Sequence, residues 1–152
     1  MVQNINRKNG FTLVELLVVL AIVAVLTSLA TVAYDNSLAR ARDHQRLTDI
    51  NRIQIALEQY HRDEGVYPPA LNWGQALVGS TSPSTTYMVI VPNAPTVIDG
   101  DCPGNSNQYI YTPGSGNDSY GIDFCLGNNV DQTKSGSNCA KSDGSIAAGV
   151  CP

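Results

Sequence analysis

Residues 8–26 read KNGFTLVELLVVLAIVAVL, and how this stretch is understood decides the rest of the chain. From Phe11 to Ala33 there are 23 residues with Glu15 as the only charge, and neither Gly nor Pro interrupts them. At 1.5 Å per residue such a helix is about 34 Å long, enough to cross a hydrocarbon core of about 30 Å. Two ordinary readings account for the hydrophobicity. One is a plain signal anchor. The other is a secretory signal peptide, with Arg7 and Lys8 as its basic region and Thr31-Val32-Ala33 as a small-x-small cleavage site. Neither gives Glu15 a task, although an acidic group costs roughly 2.5–3.5 kcal/mol at a membrane centre and less near one end.

The ordered string Gly10-Phe11-Thr12-Leu13-Val14-Glu15 opens directly onto a span of membrane length. In that combination it resembles the N-terminus of the type IV pilin and pseudopilin superfamily. The resemblance implies a third reading, in which residues 1–10 are a prepilin leader carrying the basic pair Arg7 and Lys8. A prepilin peptidase is then expected to cut between Gly10 and Phe11, and the new N-terminal Phe11 to be N-methylated by the same enzyme. Glu15 stays in the helix as an assembly residue and meets the freed amine, either its own or that of a neighbouring subunit. Pairing a carboxylate with an ammonium in apolar surroundings removes a penalty from each. The first turn of a helix also favours negative charge.

Beyond Ala33 the pattern becomes amphipathic. Leu47, Ile50, Ile53, Leu57 and Tyr60 recur at steps of three and four, with Ala56 beside them, and form one stripe. Asp43/Arg46, Asp49/Arg52 and Glu58/Arg62 stand at i,i+3 or i,i+4 spacing, expected on the wetter faces. Ile55 points away from the stripe. Gly65 is placed to close the helix in a left-handed cap, and Pro68-Pro69 prevents its resumption. The spacing therefore predicts one helix over residues 11–64, about 80 Å long. Residues 11–33 are its transmembrane and filament-core half, and residues 34–64 its amphipathic half.

Residues 65–152 read as a β-rich head. YMVIV (87–91), YIYT (109–112) and YGIDFCL (120–126) have strand character, and PGSGND (113–118) is a hairpin loop. A small antiparallel sheet laid on the stripe is expected to bury Leu57, Tyr60, Ile90, Ile110, Ile122 and Phe124. The fold class is α+β, a long N-terminal helix packed on a small antiparallel sheet. About 88 residues make a thin core, which is where the cysteines bear on the fold. Cys102, Cys125, Cys139 and Cys151 all lie in the head and read as two disulfides of an oxidising compartment, with three possible connectivities. Sequence proximity favours Cys102–Cys125 and Cys139–Cys151. A zinc site is the rival, but no two cysteines stand in C-x2–4-C spacing.

Parts of the head, ALEQYHRDEGVYPP (56–69), YMVIVPNAP (87–95) and YIYTPGSGNDSYGIDF (109–124), resemble the major pseudopilin of type II secretion. Two disulfides and a Ser/Gly-rich tail from Asn128 to Pro152 depart from that pattern and are more pilin-like. Calcium candidates are Asp99, Asp101, Asp118 and Asp123, scattered over loops without EF-hand spacing.

Charge and motif content exclude other classes. From Gly65 onward the only basic residues are Lys134 and Lys141, against six Asp, so direct binding of nucleic acid is not expected. His44 and His61, the only histidines, read as solvent-facing helix residues. No nucleophile triad, zinc-protease motif or phosphate loop is present, so no enzyme is expected. Asn117-Asp118-Ser119 fits a glycosylation sequon. Arg40, Arg42 and Arg46 follow the apolar run closely, so the basic pair before it does not settle topology, and the cysteines place the head outside the cytoplasm.

The expectation is a structural subunit inserted once through the bacterial cytoplasmic membrane, with an extracytoplasmic head. It would polymerise with itself into a helical filament after leaving the lipid, aided by minor pilins and a membrane assembly platform. A secretion pseudopilus and a surface pilus for motility, adhesion or DNA uptake are both compatible. The alternative is a bitopic membrane-anchored binding protein that never polymerises.

Overall fold

In the computed structural model, residues 10–81, 83–104 and 107–152 are described, without the side chains of residues 29–33. The leader pair Arg7 and Lys8 lies outside the described residues. Helix α1 runs Leu13–Glu64, a single helix of 52 residues without Gly or Pro. It ends as the sequence requires: Gly65 adopts φ 81° and donates its N–H to the carbonyl of His61 at 2.8 Å. A residue with a Cβ is strained at that φ, which is why glycine stops the helix here.

The chain divides into two units, Met1–Ser37 and Leu38–Pro152. In the first, the helix exposes apolar side chains on every side, from Leu13, Val14, Leu16 and Leu17 through Val25 and Leu26. Among the described residues no helix is long and apolar enough to cross a membrane.

In the second unit the helix meets two sheets. Strands β1 (Leu77–Val78) and β2 (Thr86–Met88) form a two-stranded antiparallel ribbon. Strands β3 (Ile110–Pro113), β4 (Tyr120–Leu126), β5 (Gly136–Lys141) and β6 (Ile146–Ala148) form an antiparallel sheet in the order β3-β4-β5-β6. Ile50, Ile53, Ala56, Leu57 and Tyr60 of α1 share one buried core with Tyr120, Ile122, Phe124 and Leu126 of β4 and Ala140 of β5. The Gln54 side-chain amide donates to the carbonyl of Lys141 at 3.0 Å, fastening β5 to the helix.

Two residues expected in the core are not there. Ile90 is 63% exposed and Ile110 55% exposed. In β3 the alternation runs with the opposite parity, so Tyr109 is buried and Tyr111 turns inward to donate its hydroxyl to the carbonyl of Pro68 at 2.7 Å. The 87–91 run breaks after Met88. Val91 exchanges backbone hydrogen bonds with the Gly74–Gln75 turn (2.8 and 2.7 Å), which turns the chain, buries Val91 and leaves Ile90 outside. Strands β5 and β6 lie in what sequence composition marks as a Ser/Gly-rich tail. Their pairing with β4 and with each other holds them, across a turn at Lys141–Gly144 in which Gly144 takes φ 81°.

Candidate functional site

The processing and assembly residues sit at the start of α1. Gly10 and Phe11 precede the helix and are exposed, Phe11 at 86%. Thr12 caps it: its hydroxyl accepts the Glu15 N–H at 3.2 Å, while Glu15 Oε2 accepts the Thr12 N–H and hydroxyl, each at 2.8 Å. This is a reciprocal capping box, Thr-x-x-Glu, in which two otherwise orphaned groups of the helix end satisfy each other. The carboxylate thus has a local task beyond the one expected from sequence. The Thr-x-x-Glu spacing of such a box is written in Thr12-Leu13-Val14-Glu15. Phe11 and the Glu15 carboxylate face outward among exposed Leu and Val side chains, an arrangement suited to packing against other chains or lipid.

A second cluster lies where α1 enters the head. Asp43 is fully buried and accepts four hydrogen bonds, from Arg46 Nη1 (2.7 Å), Gly127 N (2.9 Å), Asn128 N (2.9 Å) and Asn128 Nδ2 (2.9 Å). Arg46, also buried, reaches Asp99 Oδ2 at 3.1 Å and the carbonyl of Val97 at 2.6 Å. Arg42 closes on Asp99 with two prongs, Nε to Oδ2 at 2.8 Å and Nη2 to Oδ1. The Arg42 guanidinium holds the Asp99 carboxyl below its usual range; burial opposes this and Arg46 adds to it. Asp43, Arg46 and Asp49 are therefore buried, not on wet faces as the i,i+3 spacing predicts. The reason is tertiary: the 97–102 and 127–128 loops cover that side of the helix and supply the missing partners. Asp49 accepts the Tyr109 hydroxyl at 3.3 Å, and burial raises its pKa against that bond and the nearby Arg52.

Tight backbone approach makes the cover possible. A Cβ at Gly127 would lie 2.5 Å from the Asp99 carbonyl carbon, and one at Gly100 2.0 Å from the Gly127 oxygen. Disulfide Cys102–Cys125 ties the 97–102 loop to β4, and Cys139–Cys151 ties the last residues to β5. These are the pairs that proximity favours. Since Asp123 pairs with Cys139 and Cys125 with Ser137 in the register, both disulfides lie on the face of the sheet turned away from α1.

The calcium candidates are not gathered. Asp99 is held by Arg42 and Arg46, Asp101 accepts the Ser135 hydroxyl at 2.7 Å, Asp118 stands exposed in the β3–β4 loop, and Asp123 accepts the Cys151 N–H at 2.6 Å. Asp123, Cys139 and Cys151 are close enough for a metal, but the two sulfurs are bonded to each other. His44 is exposed as expected, whereas His61 is half-buried and stacks on Tyr67 at 4.3 Å.

Residues 5–31 match the family model described as the prokaryotic N-terminal methylation motif. The type II secretion system core protein G of Vibrio cholerae is 29% identical over 119 residues, covering 74% of this chain and 76% of that protein. The fimbrial protein EcpC of Eikenella corrodens is 30% identical over 89 residues, 59% of this chain and 58% of its own length. The type IV major pilin protein PilE of Neisseria gonorrhoeae is 34% identical over 61 residues, 40% of this chain and 36% of that one. The matches thus reach less than two thirds of the length of these fimbrial relatives. No solved structure matches.

Proposed function

We infer that the chain is a member of the type IV pilin and pseudopilin family and the structural subunit of a pilus-like filament, on the N-terminal methylation motif and the likeness to core protein G and the fimbrial proteins. Prepilin peptidase removes the leader after Gly10 and methylates Phe11. Residues 11–33 anchor the precursor in the cytoplasmic membrane, with the head, residues 65–152, on the far side. The subunit then leaves the lipid and packs into a helical homopolymer on an assembly platform, with minor pilins. One observation carries this reading: the methylation motif leads into a helix whose apolar side chains stay exposed on all sides from Leu13 to Leu26. Such a surface needs lipid or other copies to cover it.

A secretion pseudopilus is the narrower reading that a specific observation favours. The likeness to core protein G covers 74% of this chain, against 59% for the fimbrial protein EcpC and 40% for the PilE pilin.

Glu15 gives the reading its register. Its capping box with Thr12 uses Oε2 for both bonds, which leaves Oε1 to meet a mature N-terminal amine. The experiment is intact mass and N-terminal sequencing of the native membrane protein, followed by Glu15→Val. A chain starting at methylated Phe11, with Glu15→Val still inserted but without filaments, is the expected result. An uncut Met1 in the presence of the peptidase, or unchanged filaments in Glu15→Val, would return the protein to a non-polymerising anchored binding module.

A further inference from the structure

Three segments far apart in the chain, 72–75, 93–96 and 107–109, meet around Trp73, the only tryptophan of the protein. The turn that carries Trp73 is closed by Gln75 N–H, which donates to the Asn72 carbonyl at 3.1 Å, and Gly74 N–H donates to the Val91 carbonyl at 2.8 Å. Two residues beyond Val91, the Asn93 amide lies over the same turn: a Cβ at Gly74 would come 3.1 Å from Asn93 Nδ2. Asn107 Nδ2 donates to the Thr96 carbonyl at 2.6 Å and ties the segment before β3 to the 93–96 segment. Tyr109 meets Trp73 edge to face, with ring centroids 5.8 Å apart and planes at 62°. Between these groups is a recess of about 580 Å³, bounded by Trp73, Asn93, Thr96, Asn107, Gln108 and Tyr109, and no charged side chain lines it. Sites for small ligands are typically about 300–1,000 Å³, with a few polar groups converging on an apolar wall.

Two kinds of group line the recess. Trp73 is half-buried, so part of its indole ring is open to solvent. Tyr109 is buried and its hydroxyl is already given to Asp49, so it serves as an apolar backing that steadies the indole. Beside the rings stand the carboxamides of Asn93, Asn107 and Gln108. Each carries a carbonyl acceptor next to N–H donors. Asn93 and Gln108 are exposed, and among the described residues neither side chain has a hydrogen-bond partner. A matching ligand presents an apolar face to an aromatic ring and, around its edge, groups that both donate and accept. A neutral sugar has this form: one face of a pyranose ring is a patch of C–H groups, and adjacent hydroxyls on its rim match the paired acceptor and donor of a carboxamide. An anionic ligand or a nucleotide would need cations for its charge, and the recess holds none. A proline-rich peptide needs a groove of exposed rings, and here Tyr109 is buried.

We propose that the Trp73 recess binds a neutral saccharide, with the sugar ring against the indole and its hydroxyls bonded to the carboxamides of Asn93, Asn107 and Gln108. The site uses residues of the head alone, so it stands apart from the filament reading; a polymerised subunit and a lone anchored head display it alike.

Since the protein has a single tryptophan, its emission reports on this recess without a label. The test titrates the full chain, held in polyoxyethylene-ether micelles that carry no sugar headgroup, with lactose, cellobiose, maltose and N,N′-diacetylchitobiose. The expected result is a saturable change in emission with at least one of the four, with a dissociation constant of about 1 mM. Asn93→Ala and Gln108→Ala, both at exposed positions, should each weaken binding about fivefold or more, as the loss of a hydrogen-bonding group would. Saturation-transfer NMR with the same sugars extends the test to Trp73→Ala, in which transfer should vanish. Digalacturonate, a charged counter-probe, should bind more weakly than the neutral sugars. No saturable change with any of the four sugars overturns the proposal, as does binding that both alanine variants leave unchanged. Tighter binding of digalacturonate, or a response to decaproline alone, overturns it equally by assigning the recess to another class of ligand.

Discussion

Between Leu13 and Leu26 helix α1 turns Leu16, Leu17, Leu20, Ile22 and Val25 outward, whereas between Asp43 and Tyr60 the same helix hides Ile50, Ile53 and Leu57 almost completely. Both stretches are apolar enough to need cover. The second finds it in its own chain, because its apolar residues fall on one stripe that a four-stranded sheet can match. The first is apolar all round, and no single sheet covers a cylinder. Its cover has to come from lipid or from other chains. Polar groups follow the same division. Near Leu13 one capping box satisfies the helix end, while near the head two arginines and two aspartates are sealed into a network with Gly127 and Asn128.

That division can be broken from either side. Arg46→Ala should have the largest effect on the head, since it leaves buried Asp43 without its cation; a loss of about 3–5 kcal/mol is expected. Thermal unfolding of the full chain in detergent micelles measures it, and Glu15→Val under the same conditions should leave the head transition where it is. A head transition that moved with Glu15→Val would show that the two stretches are not energetically separate. Replacing Cys139 and Cys151 together by Ser should cost about 3 kcal/mol for the lost loop closure, with β6 and the residues after it the first to exchange amide hydrogens.

Acid sharpens the comparison further. Asp99 titrates below its usual value when folded, so the unfolded chain binds its proton more tightly. The stability Asp99 contributes is complete above about pH 5 and is lost as pH falls through 4 and below. Asp49 has the opposite sign, since its raised folded pKa offsets part of that loss on the way down. Denaturant midpoints between pH 7 and pH 3 should therefore fall, and Asp99→Asn should flatten the acid limb at a lower starting stability. The smallest effect belongs to Ile55→Ala, which should change head stability by no more than about 0.5 kcal/mol, against about 2–5 kcal/mol for Leu57→Ala one half-turn away. A large loss at Ile55 would mean that its outward face is covered within the monomer.

Local rules carried as far as local forces do. Periodicity, the absence of Gly and Pro, and the Gly65 stop determined helix α1 from the sequence, and the stripe from Ile50 to Tyr60 determined which face is buried. Strand β4 was legible as YGIDFCL, because alternation over seven residues leaves one way to turn its apolar side inward. The methylation motif and Glu15 were legible because they are written in consecutive residues. Partners distant in the chain decided the rest. Whether Asp43 and Arg46 face water depended on loops 51 to 85 residues away, which no spacing within the helix encodes. The parity of β3 was set by Tyr109 reaching Asp49 and Tyr111 reaching Pro68. Strands β5 and β6 have little strand propensity of their own; backbone pairing with β4 and the Gln54 amide hold them. Such pairings join groups that meet only once the chain has folded, and tertiary structure alone could assign them.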